Sequence, residues 1–136
     1  MNFQQLRIIQ SLVKIKAMPV EIVPCPIVRE ADGLAMSSRN RRLSEAERAN
    51  APEIYQTLLM AAKLVRVRTV DEVKNICAEN LTKKGFVVDY FEIADIETLQ
   101  PVDDWNDSPG VIACVAAFLG SVRLIDNMIL FRIFAG

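Results

Sequence analysis

Histidine is absent from the sequence, and this absence limits the chemistry open to the chain. Nucleophilic sites of the Ser-His-Asp or Cys-His kind, zinc sites with histidine ligands and imidazole general bases are all excluded within it. An excess of charge of one sign is lacking too, because 16 Lys and Arg residues stand against 17 Asp and Glu residues. This near balance gives no electrostatic reason to expect binding to nucleic acid or to a membrane surface.

Cysteines and long apolar runs are scarce. Cys25, Cys77 and Cys114 are too far apart for a metal-ligand motif, and we expect them to be buried thiols in a reduced compartment. The longest apolar run, residues 111–119, is far shorter than the roughly 20 residues that span a bilayer. The first residues show no secretory signal, so the sequence predicts a cytoplasmic protein with no membrane partner.

The length and the composition of the chain are typical of one globular domain. The chain has 136 residues, of which 51% are hydrophobic and 24% charged. The charge is unevenly placed, with a net of +3 over residues 1–48 and −4 over residues 49–136. An anionic ligand is therefore expected in the first third of the chain.

The first elements predict part of an α/β unit. Residues 4–16 place Leu6, Ile9 and Leu12 on one helical face, and residues 20–23 alternate apolar and polar side chains like a strand. A helix followed by a strand is half of a crossover unit, and this chain alone cannot complete a doubly wound parallel sheet.

Helices are predicted in the middle of the chain, after an exposed loop over residues 29–43. The segments that begin at Ser44, Asn50 and Thr69 have the pattern of a capping box, in which a polar N-cap is followed three residues later by Glu. Gly85 ends the third helix. The predicted buried faces are Ile54, Leu58, Ala61, Ala62 and Val65 in the second helix and Val70, Val73, Ile76, Cys77 and Leu81 in the third.

The last third is predicted to form a small antiparallel sheet. Residues 86–94 are rich in β-branched and aromatic side chains, and residues 111–119 are apolar on both faces, as in a central strand. Gly120-Ser121 fits a two-residue hairpin turn that leads into a strand over residues 122–126. With two helices packed on one face of the sheet, the fold class is α+β.

The strongest candidate site is Met36-Ser37-Ser38-Arg39-Asn40, extended by Arg41 and Arg42. Two hydroxyls and a guanidinium on a loop suit the oxygens of a polyphosphate, because Arg presents a planar fork of donors and Ser donates with little steric demand. The structural alternative is a solvated basic loop, and the composition alone does not decide between the two.

Two weaker candidates lie elsewhere. Gln4-Gln5 stands at the start of the first predicted helix, where paired amides can bind a carboxylate or a hydroxyl, although an exposed helical surface explains them as well. Asp103, Asp104 and Asp107 could be taken for a metal site, but a solvated turn accounts for them better. Asp126-Asn127 is predicted to serve a turn.

Three segments of the chain resemble the pantothenate synthetase (pantoate–β-alanine ligase) family. They are Phe3-Gln4-Gln5-Leu6, Val20-Glu21-Ile22-Val23 and Val28-Arg29-Glu30-Ala31-Asp32-Gly33-Leu34-Ala35-Met36-Ser37-Ser38-Arg39-Asn40. The third is long and specific. The similarity continues to residue 127 and corresponds to the carboxy-terminal half of the family's enzymes.

The resemblance implies an ATP-dependent ligase that needs Mg²⁺. Members of the family join pantoate to β-alanine through a pantoyl-adenylate, from which the amine of β-alanine displaces AMP. The implied domains are a remnant of a Rossmann-like nucleotide-binding domain with its phosphate-binding loop, residues 1–43, and a carboxy-terminal α+β lid domain, residues 44–136. A homodimer is expected.

The resemblance also assigns site residues, and we expect no metal ligand in the chain. Ser37, Ser38 and Arg39 would hold the ATP phosphates and are the candidate catalytic residues. The positions implied for the whole site are Val28, Met36, Ser37, Ser38 and Arg39 for ATP and Gln5 for pantoate.

One departure from the family pattern bears on activity. The family reads Lys-Asp where this chain has Met1-Asn2, and its histidine-containing motif corresponds to nothing here. We therefore expect a carboxy-terminal fragment that is inactive as a ligase when isolated. A different class of function, a non-catalytic dimerisation or regulatory module, is the alternative.

Overall fold

The structure is a computed structural model that describes residues 27–133. The predicted helix over residues 4–16, the predicted strand over residues 20–23 and Gln5 lie outside the described residues. The described helices are a 3-10 helix at Ser38–Arg42, α1 at Glu45–Asn50, α2 at Glu53–Leu64, α3 at Val70–Lys83 and a second 3-10 helix at Trp105–Asp107. The strands are β1 at Val87–Asp95, β2 at Gly110–Leu119 and β3 at Val122–Arg132.

The three strands form one antiparallel sheet in the order β1-β2-β3. Cys114 in the middle of β2 pairs with Glu92 on one side and with Asn127 on the other. Of the residues in β2 only Phe118 is exposed, which is what an apolar central strand predicts. The predicted α+β class, with its small antiparallel sheet and central strand, is confirmed.

The turn between β2 and β3 is formed at Gly120-Ser121, as predicted. Gly120 has φ +61°, a left-handed conformation that costs glycine nothing. A side chain at this position would collide with the carboxylate of Glu47 in α1. The turn between β2 and β3 therefore lies directly against α1.

The main core lies between the sheet and α2 and α3, which pack against each other. Alternate residues of β2 face this core, among them Ala113 and Val115. The predicted buried helix faces are confirmed, except that Ala62, Val65 and Ile76 are only half-buried. The prediction missed Thr57, which is fully buried because its hydroxyl donates to the Glu53 carbonyl at 2.8 Å and accepts from Asn80 Nδ2 at 2.9 Å.

Two of the three predicted capping boxes are confirmed, at Ser44 and at Thr69. The one predicted at Asn50 is wrong. Asn50 is the last residue of α1, and its side-chain amide donates to the Lys84 carbonyl at 2.5 Å. Pro52 takes the N-cap position of α2 without a side-chain hydrogen bond. The side chain of Asn50 thus ties α1 to the end of α3 rather than starting the next helix.

Two further predictions are corrected. Residues 29–43 are not exposed throughout, because Leu34 is 1% exposed and belongs to the main core. Asp126 and Asn127 do not form a turn; both are buried within β3, where they pair with Val115 and Cys114. The strand runs past the predicted end at residue 126 because β2 supplies hydrogen-bonding partners as far as Arg132.

Cys77 and Cys114 are buried thiols, as predicted, while Cys25 lies outside the described residues. Burial raises the pKa of Cys77 to about 12, and its thiol points to the Thr57 carbonyl at 3.8 Å. No helix within residues 27–133 is long and apolar enough to cross a membrane.

A Cys25→Ser variant should therefore react slowly with a thiol reagent at pH 8. The raised pKa keeps Cys77 protonated at that pH, and the packing denies the reagent access to either thiol. Absorbance with Ellman's reagent should show two thiols only after denaturant is added. Rapid reaction of one thiol in the native protein would contradict the buried placement.

Candidate phosphate-binding site

A small hairpin precedes the candidate loop. Arg29 and Ala35 form a β-bridge, and a tight turn at Gly33, with φ +96°, connects them. The Met36 amide donates to the Val28 carbonyl at 2.8 Å, which sets these two residues side by side. Val28 is 62% exposed and Met36 is 52% exposed. Two apolar side chains are thus displayed next to each other at the surface.

The polar part of the loop follows as the 3-10 helix. Ser37 is its N-cap, and the Ser37 hydroxyl accepts from the Arg39 amide at 3.1 Å. Asn40 Nδ2 donates to the Ala35 carbonyl at 3.0 Å and closes the loop. Ser37, Ser38 and Arg39 remain exposed on the outside of this short helix.

The three arginines of the 3-10 helix, Arg39, Arg41 and Arg42, are exposed. Within residues 27–133 no ion pair holds Arg39, Arg41 or Arg42. Arg48, just beyond, is different, because it contacts Asp32 at 2.7 Å. The hydrogen bond from Arg48 holds the pKa of Asp32 below its usual value. The three arginines of the helix leave positive charge at the surface for an anion.

A cavity of about 620 Å³ opens beside the loop. Its lining combines the hairpin and the 3-10 helix with α2 and β3. The loop side is formed by Val28 and residues 34–40, and the opposite side by Ile54, Arg123, Leu124 and Ile125. The volume falls in the range of sites for small organic ligands.

An ion pair between half-buried Arg29 and buried Asp126 holds the hairpin against the sheet. Arg29 Nη1 donates to Asp126 Oδ2 at 2.6 Å, and Nη2 donates to Oδ1 at 2.9 Å. The same guanidinium donates to the Gly33 carbonyl at 2.9 Å and the Asn127 carbonyl at 3.3 Å. It also lies 4.5 Å from the centre of the Tyr55 ring in α2.

The Asp126 side chain is completely inaccessible to solvent. Burial raises the pKa of this carboxyl, and the hydrogen bonds from Arg29 act in the opposite direction. An ionised carboxylate in such a place needs a hydrogen-bonded cation to offset the loss of hydration. Arg29 provides it.

The structure brings together the five residues predicted to bind ATP, namely Val28, Met36, Ser37, Ser38 and Arg39, along one side of the cavity. Gln5 lies outside the described residues. The roles of these residues in ligand binding stay predictions. Sequence reasoning missed Arg29, although it lies inside the motif, and it misplaced Asp126. Nothing in the local pattern indicates that the two residues meet.

The aspartates weighed as a metal site instead stabilise a turn. Asp107 Oδ2 accepts from the backbone amides of Asp103 and Asp104, each at 3.0 Å, and Asp104 Oδ1 accepts from the Asn106 amide. Across the described range no group of three or more Cys, Asp or Glu residues is arranged to hold a metal ion.

Comparison with known proteins identifies the family of the chain. The family model for pantoate-beta-alanine ligase matches residues 1–129. The match covers nearly the whole chain, and the chain belongs to the pantoate-beta-alanine ligase family.

Curated relatives named pantothenate synthetase are similar in sequence. The one from Bacteroides fragilis strain YCH46 is 48% identical over 128 residues, which are 93% of this chain and 45% of the relative. The one from Coprothermobacter proteolyticus is 45% identical over 132 residues, 95% of this chain and 46% of the relative. The chain spans about half the length of the curated relatives it matches.

A solved structure supports the fold. The crystal structure of pantothenate synthetase from Thermus thermophilus aligns with 95% of this chain and 47% of its own, at 38% identity and a TM-score of 0.75. The described helices and sheet thus correspond to part of a pantothenate synthetase.

The contact between Gly33 and Tyr55 can be tested with a matched pair of variants. Gly33→Ala and Gly85→Ala both place a side chain at positive φ, which costs about 1–2 kcal/mol. A Cβ at Gly85 meets nothing within 4 Å, whereas a Cβ at Gly33 collides with the Tyr55 ring. Urea unfolding should therefore show a clearly larger loss of stability for Gly33→Ala. Equal losses would mean that Tyr55 gives way at no cost.

Proposed function

We propose that this chain supplies the phosphate-binding loop and the carboxy-terminal region of an ATP-dependent ligase that joins pantoate to β-alanine. The support is the family membership together with the exposed hydroxyls of Ser37 and Ser38 and the exposed guanidinium of Arg39 beside the cavity. In the proposed reaction a carboxylate oxygen of pantoate attacks the α-phosphorus of ATP and releases pyrophosphate. The amine of β-alanine then attacks the acyl carbon of the pantoyl-adenylate, forms the amide and releases AMP.

The observation that carries the proposal is the exposure of Ser37, Ser38 and Arg39 at the cavity. The hydroxyls can donate to phosphate oxygens, and the Arg39 guanidinium can make two parallel hydrogen bonds to them. Negative charge grows on the leaving pyrophosphate as its bond to the α-phosphorus breaks. A cation at that place stabilises the transition state more than the ground state.

The exposed apolar pair has a separate role in the proposal. Val28 and Met36 lie next to each other on the same side of the cavity, where they can cover the base of the nucleotide. Magnesium would enter with ATP as part of the substrate. Pantoate binding by Gln5 remains a prediction from the family resemblance.

The isolated chain is proposed to lack ligase activity. It spans about half the length of its relatives and contains no histidine. A homodimer, a cytoplasmic location and the division between residues 43 and 44 also remain predictions.

Nucleotide binding is tested best by replacing, one at a time, two arginines of the same 3-10 helix with alanine. Arg39 lines the cavity, and Arg42 does not, although both are exposed. Arg39→Ala should weaken binding of Mg-ATP about tenfold, the cost of one charge-assisted contact, while Arg42→Ala should change it little. Both variants lose one positive charge, so isothermal titration calorimetry separates a specific contact from general attraction. Equal weakening, or no ATP binding by the unaltered chain, would favour a non-catalytic module.

Ligase activity is tested by coupled detection of AMP with pantoate, β-alanine and Mg-ATP. We expect no turnover by the isolated chain above an Arg39→Ala control. Clear turnover that depends on both pantoate and β-alanine would overturn the proposal of inactivity and leave the proposed ATP site standing.

A further inference from the structure

We propose that Arg29 is a positioning residue that binds the phosphate loop to the carboxy-terminal module through Asp126. The phosphate loop is residues 36–40, and the module is α2, α3 and the sheet. The consequence is that the loop and the module move as one body. This inference rests on the proposed function, because it assigns a task to the residues that hold the proposed ATP site in place.

The contacts of Arg29 join three parts of the molecule. Its guanidinium donates twice to Asp126 and once to the Asn127 carbonyl, both in β3. It donates once more to the Gly33 carbonyl inside its own hairpin, and its face covers the Tyr55 ring in α2. One side chain thus fixes the hairpin to a strand and to a helix at the same time.

The position of Arg29 in the hairpin transmits this restraint to the loop. Its backbone pairs with Ala35, and the preceding residue, Val28, accepts a hydrogen bond from the Met36 amide at 2.8 Å. Ala35 in turn accepts from Asn40 Nδ2 at 3.0 Å. A displacement of Arg29 would therefore shift both ends of the loop that carries Ser37, Ser38 and Arg39.

Lysine cannot replace this residue. An ammonium group can neutralise Asp126, but it lacks the planar fork that reaches the carboxylate and the Gly33 and Asn127 carbonyls together. It also loses the flat face that lies on the Tyr55 ring. Arg29→Lys therefore keeps the positive charge but loses the set of hydrogen bonds that the guanidinium fork makes. Asp126→Asn keeps the shape of the side chain but removes its negative charge.

The test measures hydrogen exchange of backbone amides in this chain. The Gly33 and Met36 amides both donate within the hairpin, so they report on its order. Arg29→Lys and Asp126→Asn should each speed their exchange at least tenfold and leave the amides in the centre of β2 unchanged. The double variant should be no faster than the faster single variant, because the two residues act as one unit.

The control is Glu92→Gln, which breaks an ion pair between half-buried side chains of two other elements. Lys74 in α3 contacts Glu92 in β1 at 2.9 Å, and neither residue lines the cavity beside the loop. This variant should leave the exchange of Gly33 and Met36 unchanged. Affinity for Mg-ATP should fall at least fivefold in Arg29→Lys and stay constant in Glu92→Gln.

The outcomes separate this inference from the proposed function. If the unaltered chain binds no ATP, the proposed function fails, and amide exchange still decides whether Arg29 orders the hairpin. Unchanged exchange of Gly33 and Met36 in a folded Arg29→Lys variant overturns the inference, whatever the affinity for ATP. If Asp126→Asn does not fold, Arg29→Lys alone decides.

Discussion

The ion pair between Arg29 and Asp126 joins residues that are 97 positions apart, and much of the site depends on it. A carboxylate with no solvent access is unfavourable unless a cation meets it with good geometry. Asp126 therefore requires Arg29. In our proposal, the position of the hairpin that carries Ser37, Ser38 and Arg39 depends on the same contact that stabilises this buried carboxylate.

Local signals in the sequence predicted the local features well. The capping boxes at Ser44 and Thr69 need only residues three positions apart, and the Gly120-Ser121 turn needs only two neighbours. The central strand was recognisable because apolar residues fill both of its faces. In each case the deciding interaction lies within a few residues of the chain.

The errors fall where distant contacts decide the structure. Asn is a residue type that often caps helices, but the side-chain amide of Asn50 donates to the Lys84 carbonyl instead. Asp126-Asn127 has the composition of a turn, yet pairing with β2 holds both residues in a strand. Leu34 sits in a polar segment and is buried only because the hairpin folds back onto the module. Rules based on residue spacing within one sequence cannot identify such distant partners.

The candidate site also combines features that the local sequence predicts with features that depend on distant contacts. The donor-rich run around Ser37 was visible in the sequence, because hydroxyl and guanidinium groups suit phosphate chemistry wherever they occur. The cavity beside it was not, since α2 and β3 provide the far wall. Arg29 was part of the recognised motif, but its task became evident only when its partners were located.

The close approach of Gly33 to the aromatic ring of Tyr55 has a practical consequence for spectroscopy. A proton held against an aromatic ring experiences the magnetic field of the circulating π-electrons, and its resonance is displaced from the usual range. The α-protons of Gly33 therefore carry an intrinsic signal whose displacement vanishes when the ring and the turn separate. An unlabelled sample would thus show the state of the hairpin through a single pair of resonances.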